Sequence, residues 1–104
     1  MGGKKLNLYS IVIMVNDMNI REQLQENYDQ TLLFADEFDD CIIGATDDFG
    51  TIRVVYDIPK MILTLMSDDM SYHEAREYLE FNTLNAWVGK ETPIYMEPKE
   101  CFTT

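Results

Sequence analysis

Basic residues are scarce in this chain: eight Lys and Arg stand against 19 Asp and Glu, for a formal net charge of −11 over 104 residues. A direct nucleic-acid ligand is disfavoured, because affinity for phosphate backbones rests on Lys and Arg neutralising them. An anionic bilayer surface is repelled for the same reason, and basic protein partners are attracted. Cysteine is also rare. Cys41 and Cys101 are too few for a disulfide framework and too far apart for a zinc or thioredoxin-like pair, so a reduced, intracellular setting is expected. No long apolar run occurs. LYSIVIMV at 8 residues is the apolar stretch near the N-terminus, and spanning a bilayer takes roughly 20. It is followed by no small-residue cleavage site, so a signal peptide is not expected. The five glycines fit no phosphate-binding loop, and no cofactor is expected.

What is present is a core. Apolar residues make up 46% of the chain, with six Tyr, five Phe and one Trp. That suits one compact domain over residues 1–104, with 1–5 as a flexible start and the core in 38–96. The β-branched segment Leu6–Val15 is expected as a strand. NDMNIREQLQENYDQ then places Ile20, Leu24 and Tyr28 at four-residue steps, the spacing of an amphipathic helix, so 6–30 reads as strand plus helix.

CIIGAT (41–46) and TIRVVY (51–56) read as two strands joined by Asp47-Asp48-Phe49-Gly50, a hairpin loop in which Gly supplies a positive φ. Ile52, Val54 and Tyr56 share one face of the second strand. Cys41 and Ile43 are expected on one side of the first strand and Ile42 on the other. DIPKMILTLMSDD predicts a helix over about 58–68, with Asp57 as N-cap, Pro59 in its first turn and a stripe of Ile58, Met61, Ile62, Leu65 and Met66. Ser71-Tyr72-His73-Glu74 matches a capping box and predicts a helix over about 72–88, with Ala75, Leu79, Asn82 and Ala86 on its inward stripe and Gly89 ending it in the left-handed C′ conformation. TPIYM (92–96) reads as a closing strand, and the last residues are expected to fray. The expected fold is α+β: a small, mainly antiparallel sheet with two or three helices on one face.

The succession FDDCIIG, VYDIPKMI, MSYHEAREYLEFN and AWVGKETPIY, from Phe38 to about Met96, resembles a group of short acidic proteins encoded by bacteriophages and some bacterial genomes. The resemblance implies a phage or prophage origin and a product acting in the cytoplasm of an infected cell. It carries over no functional residues. Under it, Phe81 and Trp87 are expected in the core and Pro93 at the start of an edge strand.

The acids supply the candidate site. DEFDDCIIGATDDFG holds Asp36, Glu37, Asp39, Asp40, Asp47 and Asp48 with no Lys or Arg among them. One reading is a solvated rim that blunts strand edges. A second is a negative surface that binds a basic host or viral protein, its carboxylates standing where phosphates normally sit. That makes the chain a non-catalytic accessory protein, with a homo-oligomer left open. The third is a small Mg²⁺- or Ca²⁺-dependent enzyme, although the segment lacks the Gly and terminal Glu of an EF-hand. His73 is expected to pair with Glu77 one turn on rather than act as a general base. Asn82, on an otherwise apolar stripe, is expected to be buried and hydrogen-bonded. Tyr72, Tyr78, Phe81, Trp87 and Tyr95 lack the interleaved basic residues that nucleic-acid stacking requires.

Overall fold

The computed structural model describes residues 19–98, and the chain divides between Thr31 and Leu32 into two units. The strand expected over Leu6–Val15, the flexible start, Cys101 and the fraying tail lie outside the described residues. In the first unit, helix α1 (Ile20–Gln25) is opened by a full capping box between Asn19 and Glu22. It is shorter than the four-residue periodicity suggested. Gln25 Nε2 donates to Gln30 O at 2.6 Å, so its side chain serves the following backbone where the helix stops.

The second unit is α+β. A 3₁₀ turn (Asp39–Cys41) leads into β1 (Ile42–Asp48), which pairs antiparallel with β2 (Thr51–Asp57). The hairpin is tighter than expected, with a two-residue turn instead of four. Phe49 (φ 52°) and Gly50 (φ 92°) both take positive φ, the type I′ pattern that matches strand twist. The Gly50 N–H donates to Asp47 Oδ1 at 2.7 Å and braces the turn.

Register is interrupted between Ile42 and Gly44, where a β-bulge leaves Ile43 without a partner. A bulge resets the in-out alternation of its strand. The expected pairing of Cys41 with Ile43 is therefore wrong: Cys41 is buried in the 3₁₀ turn, and Ile43 is 51% exposed. On β2 the alternation holds, with Val54 and Tyr56 fully buried.

Helix α2 (Ile58–Met66) starts at Asp57, which occupies the N-cap position without making a side-chain cap bond. Ile58, Met61, Ile62 and Leu65 form its buried stripe, while Met66 is left outside. The helix packs on β2, on the 3₁₀ turn and on α3 (Tyr72–Leu79). Both halves of the α3 capping box form, Glu74 N–H to Ser71 Oγ at 3.1 Å and Ser71 N–H to Glu74 Oε1 at 2.8 Å. Strand β3 (Ile94–Met96) follows buried Pro93 and lies at the sheet edge. It runs parallel to β2, so the sheet is mixed rather than wholly antiparallel.

The largest departure is in the last helix. Instead of running to residue 88, α3 passes at Glu80 into a π turn (Glu80–Leu84) and ends. A π turn accommodates one extra residue, which rotates the following side chains by about 100°. Ala75 and Leu79 are fully buried as expected, but Thr83 and Leu84 take the half-buried positions and Asn82 and Ala86 are exposed. Phe81 (86% exposed) and Trp87 (70%) are outside the core. Gly89 has the expected positive φ, 119°, but it sits in the loop before β3 and not at a helix C′ position.

Candidate functional site

A half-buried Tyr95, backed by fully buried Tyr56, stands on one wall of a groove. Tyr56 lies 5.6 Å from Tyr95, ring centre to ring centre, across the β2–β3 pair. Its hydroxyl accepts a 2.7 Å hydrogen bond from the Ala35 N–H. A buried phenol needs such a partner, and here the bond fastens the irregular segment 32–38 to the sheet. The segment is further anchored by buried Leu32 and Phe38. Burial raises the Tyr95 pKa above its ordinary 10.0, because the phenolate would be stranded away from water.

Opposite that wall stands the end of α3 with the π turn. Asn82 Nδ2 donates to Tyr78 O at 2.9 Å, and Asn85 Nδ2 donates to Glu80 O at 3.0 Å. The two amides satisfy carbonyls that a terminating helix leaves open, which is why an exposed Asn82 is still hydrogen-bonded. Arg76 locks the helix to the segment after β3 through a two-pronged contact with Glu97, at 3.2 and 3.0 Å.

Between the walls lies a groove of about 530 Å³. Phe38, Pro93 and Tyr95 contribute its more buried surface, Val88 and Asn82 its outer edge. Among the described residues, Asp36 and Glu37 are its only carboxylates, and none of its lining residues is basic. Both acids are exposed, in a turn where Glu37 takes φ 76°.

The remaining four candidate acids fall elsewhere. Asp40 is exposed and Asp39 half-buried in the 3₁₀ turn. Asp47 braces the hairpin turn, and the Asp48 carboxylate accepts from Arg53 Nη1 at 2.9 Å, so these two have structural work at the far end of β1. That end lies roughly 20 Å from the 3₁₀ turn if each extended residue advances about 3.3 Å. Among the described residues, no three His, Cys, Asp or Glu side chains converge to hold a metal ion. His73 Nε2 sits 3.4 Å from Glu77 Oε2 with both side chains exposed, and the Ser71 hydroxyl beside it is engaged in the cap.

A second cluster was not anticipated. Arg53 Nε donates to Thr92 O at 2.6 Å while its Nη1 holds Asp48, so one guanidinium ties the loop before β3 to the hairpin. Buried Thr92 Oγ1 accepts from Val88 N–H at 2.9 Å and donates to Gly89 O at 2.5 Å. On this support stand Phe49, Trp87 and Lys90, around a recess of about 230 Å³. A lone Arg within the apolar run TIRVVY was the sequence signal for it, and its partners are 5 and 39 residues away.

No family model, curated protein or solved structure matches the chain. Among the described residues no helix is long and apolar enough to cross a membrane.

Proposed function

We propose that this chain is a non-catalytic binding protein whose groove takes a protein segment carrying an apolar side chain beside a Lys or Arg. The supporting observation is the lining: apolar side chains such as Phe38, Val88 and Pro93 mixed with polar ones, two exposed carboxylates at Asp36 and Glu37, and no basic residue among the described ones. Apolar contact supplies affinity in such a groove, and a rim of one charge sign selects the partner and speeds encounter. The net charge of −11 adds long-range attraction for a basic partner. The phage resemblance fits an accessory protein acting in the cytoplasm of an infected bacterium. Asp39 and Asp40 extend the carboxylates of Asp36 and Glu37 along the chain, so the segment 36–40 is the part suited to standing in for phosphates on a basic host or viral protein. Asp47 and Asp48 are spoken for by the hairpin and drop out of that surface.

The test uses a fluorescent peptide alternating Lys with Phe and a control alternating Glu with Phe. The chain should bind the first and ignore the second. Asp36→Asn with Glu37→Gln should weaken capture about tenfold, the worth of two exposed charge contacts. Equal capture of both peptides, or no loss in the double variant, would overturn the reading.

A further inference from the structure

We propose that the groove of one copy receives the Phe49–Trp87 tip of a second copy, a head-to-tail contact between copies of this chain. The inference rests on the groove reading above and names an occupant for it.

Phe49 has no internal reason to be where it is. It is fully exposed, at 103%, on the end of the hairpin. It takes φ 52°, a conformation that bulky side chains disfavour and that type I′ turns assign to Asn, Asp or Gly. Neither burial nor backbone preference accounts for an aromatic residue there. An outlier of this kind points outward, to a contact made with another molecule.

Trp87 stands beside it, 70% exposed, with Lys90 on the same recess. Lys90 is exposed and makes no hydrogen bond or ion pair among the described residues. The Arg53 bridge to Asp48 and Thr92 holds the two chain segments together, so the stretches of backbone that carry Phe49 and Trp87 are tied to each other before any partner arrives. Aromatic anchors carry much of the energy at protein interfaces.

The groove offers what this tip lacks. It presents apolar side chains such as Phe38, Val88 and Pro93 to an aromatic tip, and it is acidic at Asp36 and Glu37 where the tip carries Lys90. Knob and groove are different surfaces of the same chain, so the contact is heterologous. Such contacts propagate into rings or open chains rather than closing as a twofold dimer. Each copy also carries a net charge of −11, and copies repel at long range. Added salt screens that repulsion, so self-association should strengthen with salt. Capture of a cationic peptide should do the opposite.

Sedimentation velocity on the full chain reads this out. The weight-average mass should rise above 12.1 kDa with concentration and with salt, and pass the dimer. Phe49→Asn, which suits the turn and keeps the groove, should be monomeric alone. Asp36→Lys with Glu37→Lys, which keeps the tip and lowers the net charge, should also be monomeric alone. Mixed in equal amounts, the two variants should form a heterodimer and stop there, since each supplies one intact half. A wild type that stays monomeric at every salt concentration while still binding the Lys-Phe peptide would overturn the inference and leave the groove reading standing. If the peptide fails to bind as well, both fall. Variants that each associate as the wild type does would place the contact elsewhere and sink the proposal.

Discussion

Tyr56 and Trp87 are both large aromatic residues of the second unit, yet Tyr56 is fully buried and Trp87 is 70% exposed. Val54, Met61, Leu79 and Cys41 share the burial of Tyr56, all essentially without solvent contact. Around Trp87 stand Phe49, Arg53 and Lys90, where the buried polar bonds position side chains that then face outward. In the first region apolar burial holds the elements together, at about 25 cal/mol per Å² of surface removed from water. In the second, a guanidinium and a threonine hydroxyl hold a loop against a hairpin while the apolar surface stays wet. Stability and recognition are therefore expected to separate between the two ends.

The hardest test of that separation is truncation. Tyr56→Ala or Leu79→Ala should cost about 3–5 kcal/mol in denaturant unfolding, the range for large side chains lost from a packed core. Trp87→Ala should stay within about 0.5 kcal/mol of the wild type, as exposed substitutions do. A Trp87 loss comparable to that of Leu79 would erase the distinction between the regions.

A finer cut is Tyr56→Phe. It keeps the ring in the core and removes only the oxygen that the Ala35 N–H donates to. An unsatisfied, partly buried amide costs about 1–3 kcal/mol. The segment 32–38 loses one of its tethers as well, so capture of the Lys-Phe peptide should weaken together with stability, whereas Trp87→Ala should leave both stability and peptide capture intact. Amide hydrogen exchange across residues 32–38 checks this, with faster exchange expected in the Phe variant.

How far the two regions were legible in the sequence follows from how local their signals are. The hairpin, α2 and the α3 start each announce themselves within a few residues: Gly50 in the turn, Pro59 in a first turn, Ser71 with Glu74 in a capping box. The bulge at Ile43 and the π turn at Glu80–Leu84 are single-residue insertions into otherwise regular patterns. Nothing in composition marks them: the bulge turns Ile43 away from the side expected for it, and the π turn takes Asn82 and Ala86 off the inward stripe, while Phe81 and Trp87 were placed inside only through the resemblance. The groove draws on residues 33–38, 78–88 and 93–95, segments distant in sequence that tertiary contacts such as the Tyr56 and Arg76 tethers bring together. Asp36 and Glu37 could be marked as acidic surface, but the apolar walls beside them are a tertiary fact.

Phe49→Asn moves stability the other way. A non-glycine residue at positive φ costs about 1–2 kcal/mol, and Asn is among the few side chains largely relieved of that penalty. Since Phe49 is fully exposed, removing the ring forfeits no burial, and the variant should gain up to about 1 kcal/mol. A stabilised hairpin that has lost self-association would show the tip to be kept for contact and not for folding. A loss of stability would mean that Phe49 makes an internal contact after all.

The smallest effect should appear in alkali, and it belongs to the buried region alone. Burial raises the Cys41 thiol above its ordinary pKa of 9.0, with smaller upward pushes from Asp40 and Asp57, while the 3.5 Å contact with Thr64 Oγ1 and the Lys60 charge pull it partly back. The folded state thus holds the proton more tightly than the unfolded chain does. Below pH 9 both states keep it and stability is unaffected by this group. As pH rises past 9 the unfolded chain releases the proton first, so stability falls until the folded thiol also ionises. Tyr95 adds the same sign from pH 10 upward. Cys41→Ser keeps a partner for Thr64 and titrates nowhere in this range, so the variant should lose less stability than the wild type between pH 8 and 10. Identical alkaline profiles for the two would mean that the Cys41 proton is held no more tightly in the fold than in the open chain. Trp87→Ala, beside the turn end of the hairpin, should leave the alkaline profile unmoved.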